Sequence, residues 1–323
     1  MKLRVITPTR LHWGLLRPVP RADGSRAFGG MGLTLAGPGV VLCASPAETF
    51  AFEGPFADRL ESFSGRYIHG AQTLGMATVQ PARLQVESAP PAHCGLGSGT
   101  QLALATAWAL ARLSGHPEDV RSLAGLTGRA FRSSLGCQGF AQGGLLLDPG
   151  HLIGPDIPKA ENPESREEFP ENWPVLVFLA EEPGSWHGTR EKQAFERLKS
   201  TDLVSQAMEQ LARQVILPAV RSLDFQALGP AVHSFNRLAG EAFATVQGGA
   251  YSSPGIARII HRLQSLGVDG CGQSSWGPAI FALAPDLDRA NWILDRLRDE
   301  CPHGAWITRA QNQGAVLEVE SLG

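Results

Sequence analysis

The sequence predicts an α+β protein of two domains, and three observations carry that prediction. The first half alternates short apolar strands with glycine-rich turns and becomes helical only after the glycine run at 95–99. The second half opens with an apolar strand, Val175-Leu176-Val177-Phe178-Leu179, and continues in helical periods. Between them, residues 159–173 are polar, acidic and proline-bearing, the composition of a linker, so the domains are expected at 1–160 and 174–323. A length of 323 residues suits two domains at roughly 150 residues each.

The best strand candidates in the first half are 3–16, 39–44 and 83–88. The stretch Leu102 to Leu113 is nearly all apolar, so its helix is expected to be buried on most sides. A second helix is expected near Pro117-Glu118-Asp119, residue types that suit a helix N-terminus, before a return to strand at 143–148. In the second half the periods place helices at about 190–222, 224–246, 254–267 and 286–300, with strands at 279–283 and 314–320. Such alternation builds a sheet with helices packed on one face.

Composition narrows the function classes. With 43% hydrophobic and 18% charged residues the chain reads as soluble and globular, and a formal net charge of -3 gives no footprint for nucleic acid or an anionic membrane. Small-molecule partners are favoured. The five cysteines are scattered, odd in number and never spaced C-x-x-C, so neither a disulfide framework nor a zinc site is expected, and a reducing cytoplasm fits. Residues 1–5 alternate like a strand rather than forming a signal core, and no apolar run reaches membrane-spanning length.

The segment from Pro91 to Thr100 is the most informative. Glycines at 95, 97 and 99 bare the backbone just before a helix, whose first N–H groups then point at whatever sits in the loop. Gly95, Leu96, Gly97, Ser98, Gly99 and Thr100 are therefore candidate phosphate ligands, and the hydroxyls of Ser98 and Thr100 could also ligate magnesium. No Lys occurs from 91 to 113, which excludes a Walker-type loop, and the G-x-G-x-G spacing is not the dinucleotide pattern. A tight turn that merely packs a helix against a sheet stays open as the plain alternative.

Four further clusters bear chemistry. Arg10 and His12 alternate onto one side of the first strand, a cation beside an imidazole, although a core histidine explains His12 about as well. Arg26 with Gly29 and Gly30 suits close approach of backbone to ligand, or a surface loop. Arg129 and Arg132, three apart and followed by Ser133, could grip one phosphate or carboxylate, or line a solvated helix face. Gln273, Ser274, Ser275 and Trp276 crowd a glycine-bounded loop before a strand, a density of polar groups that favours binding over a bare turn.

Five segments together carry a resemblance. R-L-H-x-G-L at 10–15, G-G-x-G at 29–32, G-L-G-S-G-T-Q at 95–101, R-x-x-R-S at 129–133 and G-Q-S-S-W-G-P at 272–278 occur in the order seen in the β-ribofuranosylaminobenzene 5'-phosphate synthase family of the GHMP kinase superfamily. The resemblance implies an N-terminal half like ribosomal protein S5 domain 2, a ferredoxin-like C-terminal half and a ligand cleft between them. It also implies a reaction: 4-aminobenzoate joined to phosphoribosyl pyrophosphate with loss of diphosphate and carbon dioxide, an early step of tetrahydromethanopterin synthesis.

That chemistry needs magnesium and no redox or pyridoxal cofactor. The expected assignments are diphosphate to the loop, the 5'-phosphate and carboxylate to Arg10, Arg26, Arg129 and Arg132, and the aromatic ring to Trp276. Gly184-Ser185-Trp186-His187-Gly188-Thr189-Arg190-Glu191 resembles a family G-x-x-x-G-x-x-E segment, which makes His187 and Glu191, with His12, candidates for proton handling or metal contact. An acidic helix cap with a neighbouring His explains that pair equally well. The family tendency is a homodimer.

Two rivals stand beside this reading. Many GHMP kinases carry an Asp after the glycine loop, near the acceptor hydroxyl, but residues 136–144 contain no carboxylate and Gly99 replaces their usual Ser. A non-catalytic ligand-binding module is the other, since a fold does not guarantee an activity.

Overall fold

The computed structural model describes residues 1–16, 29–129, 133–148, 150, 163–181, 202–275 and 277–320. In chain order the first half contains β1 (Lys2–Ile6), β2 (Thr9–Leu16), β3 (Gly29–Leu35), β4 (Val41–Pro46), β5 (Ala51–Glu53), α1 (Ala57–Thr73), β6 (Ala82–Ser88), α2 (Ser98–Ser114), α3 (Val120–Leu126), α4 (Leu135–Gln142) and β7 (Leu145–Asp148). There follow β8 (Ser165–Glu167), β9 (Val175–Leu179), α5 (Asp202–Gln210), a π-helical turn at Leu211–Ile216, α6 (Leu217–Arg221), α7 (Phe225–Glu241), α8 (Ala244–Gln247) and α9 (Pro254–Ser265). The chain closes with β10 (Cys271–Gln273), β11 (Ala279–Leu283), α10 (Leu287–Leu297), β12 (Gly304–Thr308) and β13 (Val316–Glu320).

Three sheets carry these elements, ordered β13-β1-β4-β6-β5, β2-β3-β7-β8 and β10-β11-β9-β12. The single strand expected over 3–16 is two strands in different sheets, parted at Thr7-Pro8, where proline has no N–H to give a ladder. The last strand, expected with the second half, crosses back to pair antiparallel with β1, Leu3 opposite Val319. The segment expected as a linker carries β8, paired with β7, and buries Phe169 and Trp173 in the core. Trp13 binds that core together, stacked on Phe281 at 6.1 Å and edge-on to Phe169 at 6.3 Å.

Helix also arrives earlier than expected. α1 buries Leu60, Phe63, Ser64, Tyr67 and Ala71, one stripe at helical spacing, against the core that also holds α2. Its polar outer face and two glycines mask that stripe in the sequence. α2 meets its expectation of burial on most sides, with Leu102, Leu104 and Leu110 all but inaccessible and Trp108 half-buried. α3 is capped by Asp119, whose carboxylate accepts from the Ser122 N–H, as the acidic start predicts. Among the described residues no helix is long and apolar enough to cross a membrane, and all five cysteines are buried and unpaired as disulfides.

Candidate anion site at the start of α2

The glycine loop is held open by tethers from both halves of the chain. Leu96 lends its backbone carbonyl, which accepts from the Arg10 N–H at 3.1 Å and from the Thr9 hydroxyl at 2.6 Å, while its side chain is in the core. The Ser274 hydroxyl donates to Gly95 O at 2.8 Å and accepts from the His12 N–H at 2.9 Å, so one side chain joins three of the sequence motifs. The Ala279 N–H reaches Cys94 O at 3.0 Å and the Ser275 N–H reaches His12 O at 3.2 Å, completing the junction.

Backbone torsion in the loop explains two of its glycines. Gly95 and Gly97 sit at φ 95° and 76°, a region that residues with side chains enter at a cost of about 1–2 kcal/mol. Gly97 is the N-cap of α2 and supplies no side-chain cap, and the helix has no acid in its first turn. A helix of 17 residues thus presents its positive end bare.

Cations gather there. Arg10 lies along the loop, with Nη1 donating to Gly95 O at 3.5 Å. A Cβ on Gly99 would stand 2.6 Å from Nη2 of Arg59 and 3.7 Å from Nη2 of Arg129, so both guanidiniums cover the helix start. Phe63 seats both, with Arg59 Cζ 5.7 Å and Arg129 Cζ 4.8 Å from its ring centre. Burial lowers the pKa of Arg59, yet a guanidinium stays protonated, and Arg59 forms no ion pair with a described residue. Arg59 is the site residue that the sequence did not reveal.

The remaining expected residues divide. Gly29 and Gly30 lie in β3, and the close approach that Gly30 permits is to the His12 ring, whose Cε1 would be 2.7 Å from a Cβ there. Gln273 has its amide committed: Nε2 donates to Ser252 and to Gly277 O, and Oε1 accepts from the Ser252 N–H. The Ser133 hydroxyl donates to the buried carboxylate of Asp148, which also takes the Ser134 N–H. Ser275 lies beside His12, and Ser98 and Thr100 open α2. Arg26, Arg132, Trp276, His187 and Glu191 lie outside the described residues.

His12 is buried, and that burial, reinforced by the charge of Arg10, pulls its pKa down to about 3. It is a neutral imidazole at physiological pH. Because the pKa in the folded state lies below that of the unfolded chain, the native fold is disfavoured once acid charges His12: stability holds above about pH 6.5 and declines towards pH 3. The loss from this one group by pH 5 is on the order of 2 kcal/mol. Urea titrations at pH 7 and pH 5 should show the gap shrink in His12→Gln; an equal gap in both proteins would contradict the assignment.

Beside His12 a cavity runs between β2 and the end of α7, with Trp13, Ala239 and Phe243 among its apolar lining and His12, Asn236, Gln247, Gln273 and Ser275 among its polar lining. It adjoins the anion site through His12 and Ser275. Among the described residues no group of three or more His, Cys, Asp or Glu is placed to hold a metal ion. Ser98 and Thr100 are hydroxyl donors without a carboxylate, a set that fits magnesium arriving on a diphosphate better than magnesium caged by protein.

Comparison with known proteins identifies the family and the fold. Residues 65–141 match the family of GHMP kinases N terminal domains and residues 216–303 the family described as GHMP kinases C terminal. A β-ribofuranosylphenol 5'-phosphate synthase from Methanothermobacter thermautotrophicus is 31% identical over 88% of this chain and 90% of its own. Another of that name from Archaeoglobus fulgidus is 30% identical over 98% of this chain and 100% of its own. A homoserine kinase structure from Cytophaga hutchinsonii superposes with a TM-score of 0.63 at 15% identity, covering 98% of this chain and 97% of that one, a likeness of fold alone.

Proposed function

Since the chain belongs to the β-ribofuranosylphenol 5'-phosphate synthase family, within the GHMP kinase fold, we propose that it condenses 4-aminobenzoate with phosphoribosyl pyrophosphate to give β-ribofuranosylaminobenzene 5'-phosphate, carbon dioxide and diphosphate. The observation that carries the reading is the bare start of α2 under three guanidiniums, with a half-apolar cavity next to it. The relatives are named for a phenol where the motifs led us to expect an aminobenzene. Hydroxyl and amine are both electron donors to an arene, so the same bond changes serve either acid.

The loop N–H groups and Arg10, Arg59 and Arg129 bind the diphosphate and stabilise the negative charge that grows on it as its bond to the ribose anomeric carbon lengthens. Magnesium bound to that diphosphate, with Ser98 and Thr100 as the nearby hydroxyls, would supply further charge neutralisation. The cavity beside His12 holds the arene so that its carboxylate-bearing carbon faces the anomeric carbon. The new carbon–carbon bond forms as the diphosphate leaves with its electron pair. The carboxylate then departs as carbon dioxide, and its electron pair restores the aromatic ring.

No proton changes place in that sequence of bonds, which suits a neutral His12: it orients the arene's carboxylate rather than serving as a base. Phosphoryl transfer is less well served, because residues 136–144 carry no carboxylate and Asp148 is engaged by the Ser133 hydroxyl and the Ser134 N–H. Purified protein given carboxyl-labelled 4-aminobenzoate, phosphoribosyl pyrophosphate and magnesium is expected to release labelled carbon dioxide. ATP consumption with a hydroxylated acceptor and no such release would favour the kinase, and thermal stabilisation by ligand with no product a binding module.

A further inference from the structure

Gln273, the last residue of β10, is buried and tied at every polar atom. Its Nε2 donates to the Ser252 hydroxyl at 2.5 Å and to Gly277 O at 3.0 Å, and its Oε1 accepts from the Ser252 N–H at 2.9 Å. A carbonyl on one side and an N–H on the other fix which way round the amide lies. Asn236 of α7 holds the backbone: its Oδ1 accepts from the Gln273 N–H at 3.0 Å, and its Nδ2 donates to Gln273 O at 2.8 Å and to Trp13 O. Ser252 stands just before Ser253, the residue that caps α9. One side chain therefore joins the start of a C-terminal helix to the turn that faces the anion loop.

That turn is tightly constrained. Gly277 packs so closely on Cys94 and Gly95 that a Cβ there would fall 2.2 Å from their backbone atoms, and Ser275 is left-handed, with φ 56°. A residue with a side chain keeps such a torsion only where its surroundings over-determine it. The bond from the Gln273 amide to Gly277 O closes the turn on itself. We propose that Gln273 is a positioning residue: its side-chain amide, braced on Ser252, holds Gly277 against Cys94 and Gly95 and thereby sets where the arene lies relative to the diphosphate. The inference rests on the condensation described above and assigns the residue that registers its two subsites.

Such a role has a kinetic signature. The diphosphate is held by the N–H groups of α2 and by Arg10, Arg59 and Arg129, and the Leu96 tethers to Thr9 and Arg10 keep the glycine loop in place when the turn moves. Diphosphate binding is thus spared. The cavity, which Gln273 and Asn236 help to line, moves with the turn, and a misplacement of about 1 Å costs roughly 100-fold in rate. The loss should therefore fall on kcat and leave the KM for phosphoribosyl pyrophosphate nearly untouched.

The test compares three variants of the full chain. In Gln273→Leu the kcat for carbon dioxide release is expected to fall about 30-fold while the KM for phosphoribosyl pyrophosphate stays within about threefold. Ser252→Ala should lower kcat by about 3- to 10-fold with the same split, which a direct contact between Gln273 and substrate would not produce. In Gln273→Glu an ionised carboxylate is repelled by Gly277 O, whereas the neutral acid can donate its O–H there. Burial raises the pKa of the introduced carboxyl, so the ratio of its kcat to that of the unaltered protein should climb as the pH falls from about 8 to about 5.5. Taking the ratio cancels every titration that the two proteins share.

The contact between the loops is also readable without turnover. Cys94, buried where Gly277 packs on it, should be labelled by a thiol reagent about tenfold faster in Gln273→Leu, while Cys301, buried in the core around α9 and α10, stays protected. An unchanged kcat or unchanged Cys94 labelling in Gln273→Leu, a loss confined to KM, or a flat pH ratio for Gln273→Glu would each overturn the assignment. So would Cys94 and Cys301 opening together in both Gln273→Leu and Ser252→Ala, which would make the amide a brace for the fold at large. If the unaltered protein releases no carbon dioxide, it is the condensation that fails, and Cys94 labelling with pyrophosphate binding measured alongside still decides whether Gln273 holds the loops together.

Discussion

Arg59→Ala is expected to raise the KM for phosphoribosyl pyrophosphate by about 10- to 100-fold, the loss of one or two charge-assisted hydrogen bonds to phosphate, while the thermal midpoint stays within a few degrees. The guanidinium lies over the first turn of α2 and forms no ion pair with a described residue, so its removal leaves no uncompensated partner in the protein. Phe63 remains to seat Arg129, which limits repacking. Arg59→Lys should recover only part of the loss, because an ammonium offers a point charge where the fork matched two phosphate oxygens. Steady-state kinetics with the diphosphate substrate varied, alongside a melting curve, tests this directly. An unchanged KM would place the diphosphate away from α2 and remove the central support for the proposed reaction.

Gly277→Ala should do still more damage to turnover. A Cβ there would stand 2.2 Å from Cys94 O and from Gly95 N, backbone atoms of the opposing loop that have no rotamer to escape into. The two loops must part, and the bonds that register them, Ala279 N–H to Cys94 O and Ser274 hydroxyl to Gly95 O, weaken together. A displacement of about 1 Å in such a site costs roughly 100-fold in rate, and overpacking of this kind costs about 1–3 kcal/mol in stability. The expected result is a folded protein, less stable to urea, with kcat/KM reduced by two orders of magnitude or more. Wild-type turnover in this variant would show that contact between the loops is dispensable.

The site was legible in the sequence where its chemistry is local. Gly95 and Gly97 take left-handed torsions just before a helix, and a glycine run before an apolar stretch announces that without any knowledge of the rest of the chain. Arg10 and His12 were legible for the same reason, since strand alternation alone sets them on one side. Other features had no local signal. Arg59 lies in α1, 39 residues before Ser98, and nothing in its neighbourhood distinguishes it from a solvated arginine until α1 packs on α2. Gln273 looked like a ligand because amides in polar loops often are; the structure shows its amide spent on Ser252 and Gly277.

By itself, then, the sequence determined the α+β class, the buried helix and the bare backbone loop at its start, because torsional freedom, helix ends and apolar periodicity are properties of neighbours along the chain. The tertiary structure decided which cations face that loop, why His12 is held neutral, that β13 returns to β1, and that a cavity opens beside His12. Charge and solvation act through space, and a pKa or an unfilled hydrogen bond depends on atoms that chain folding brings together from distant positions.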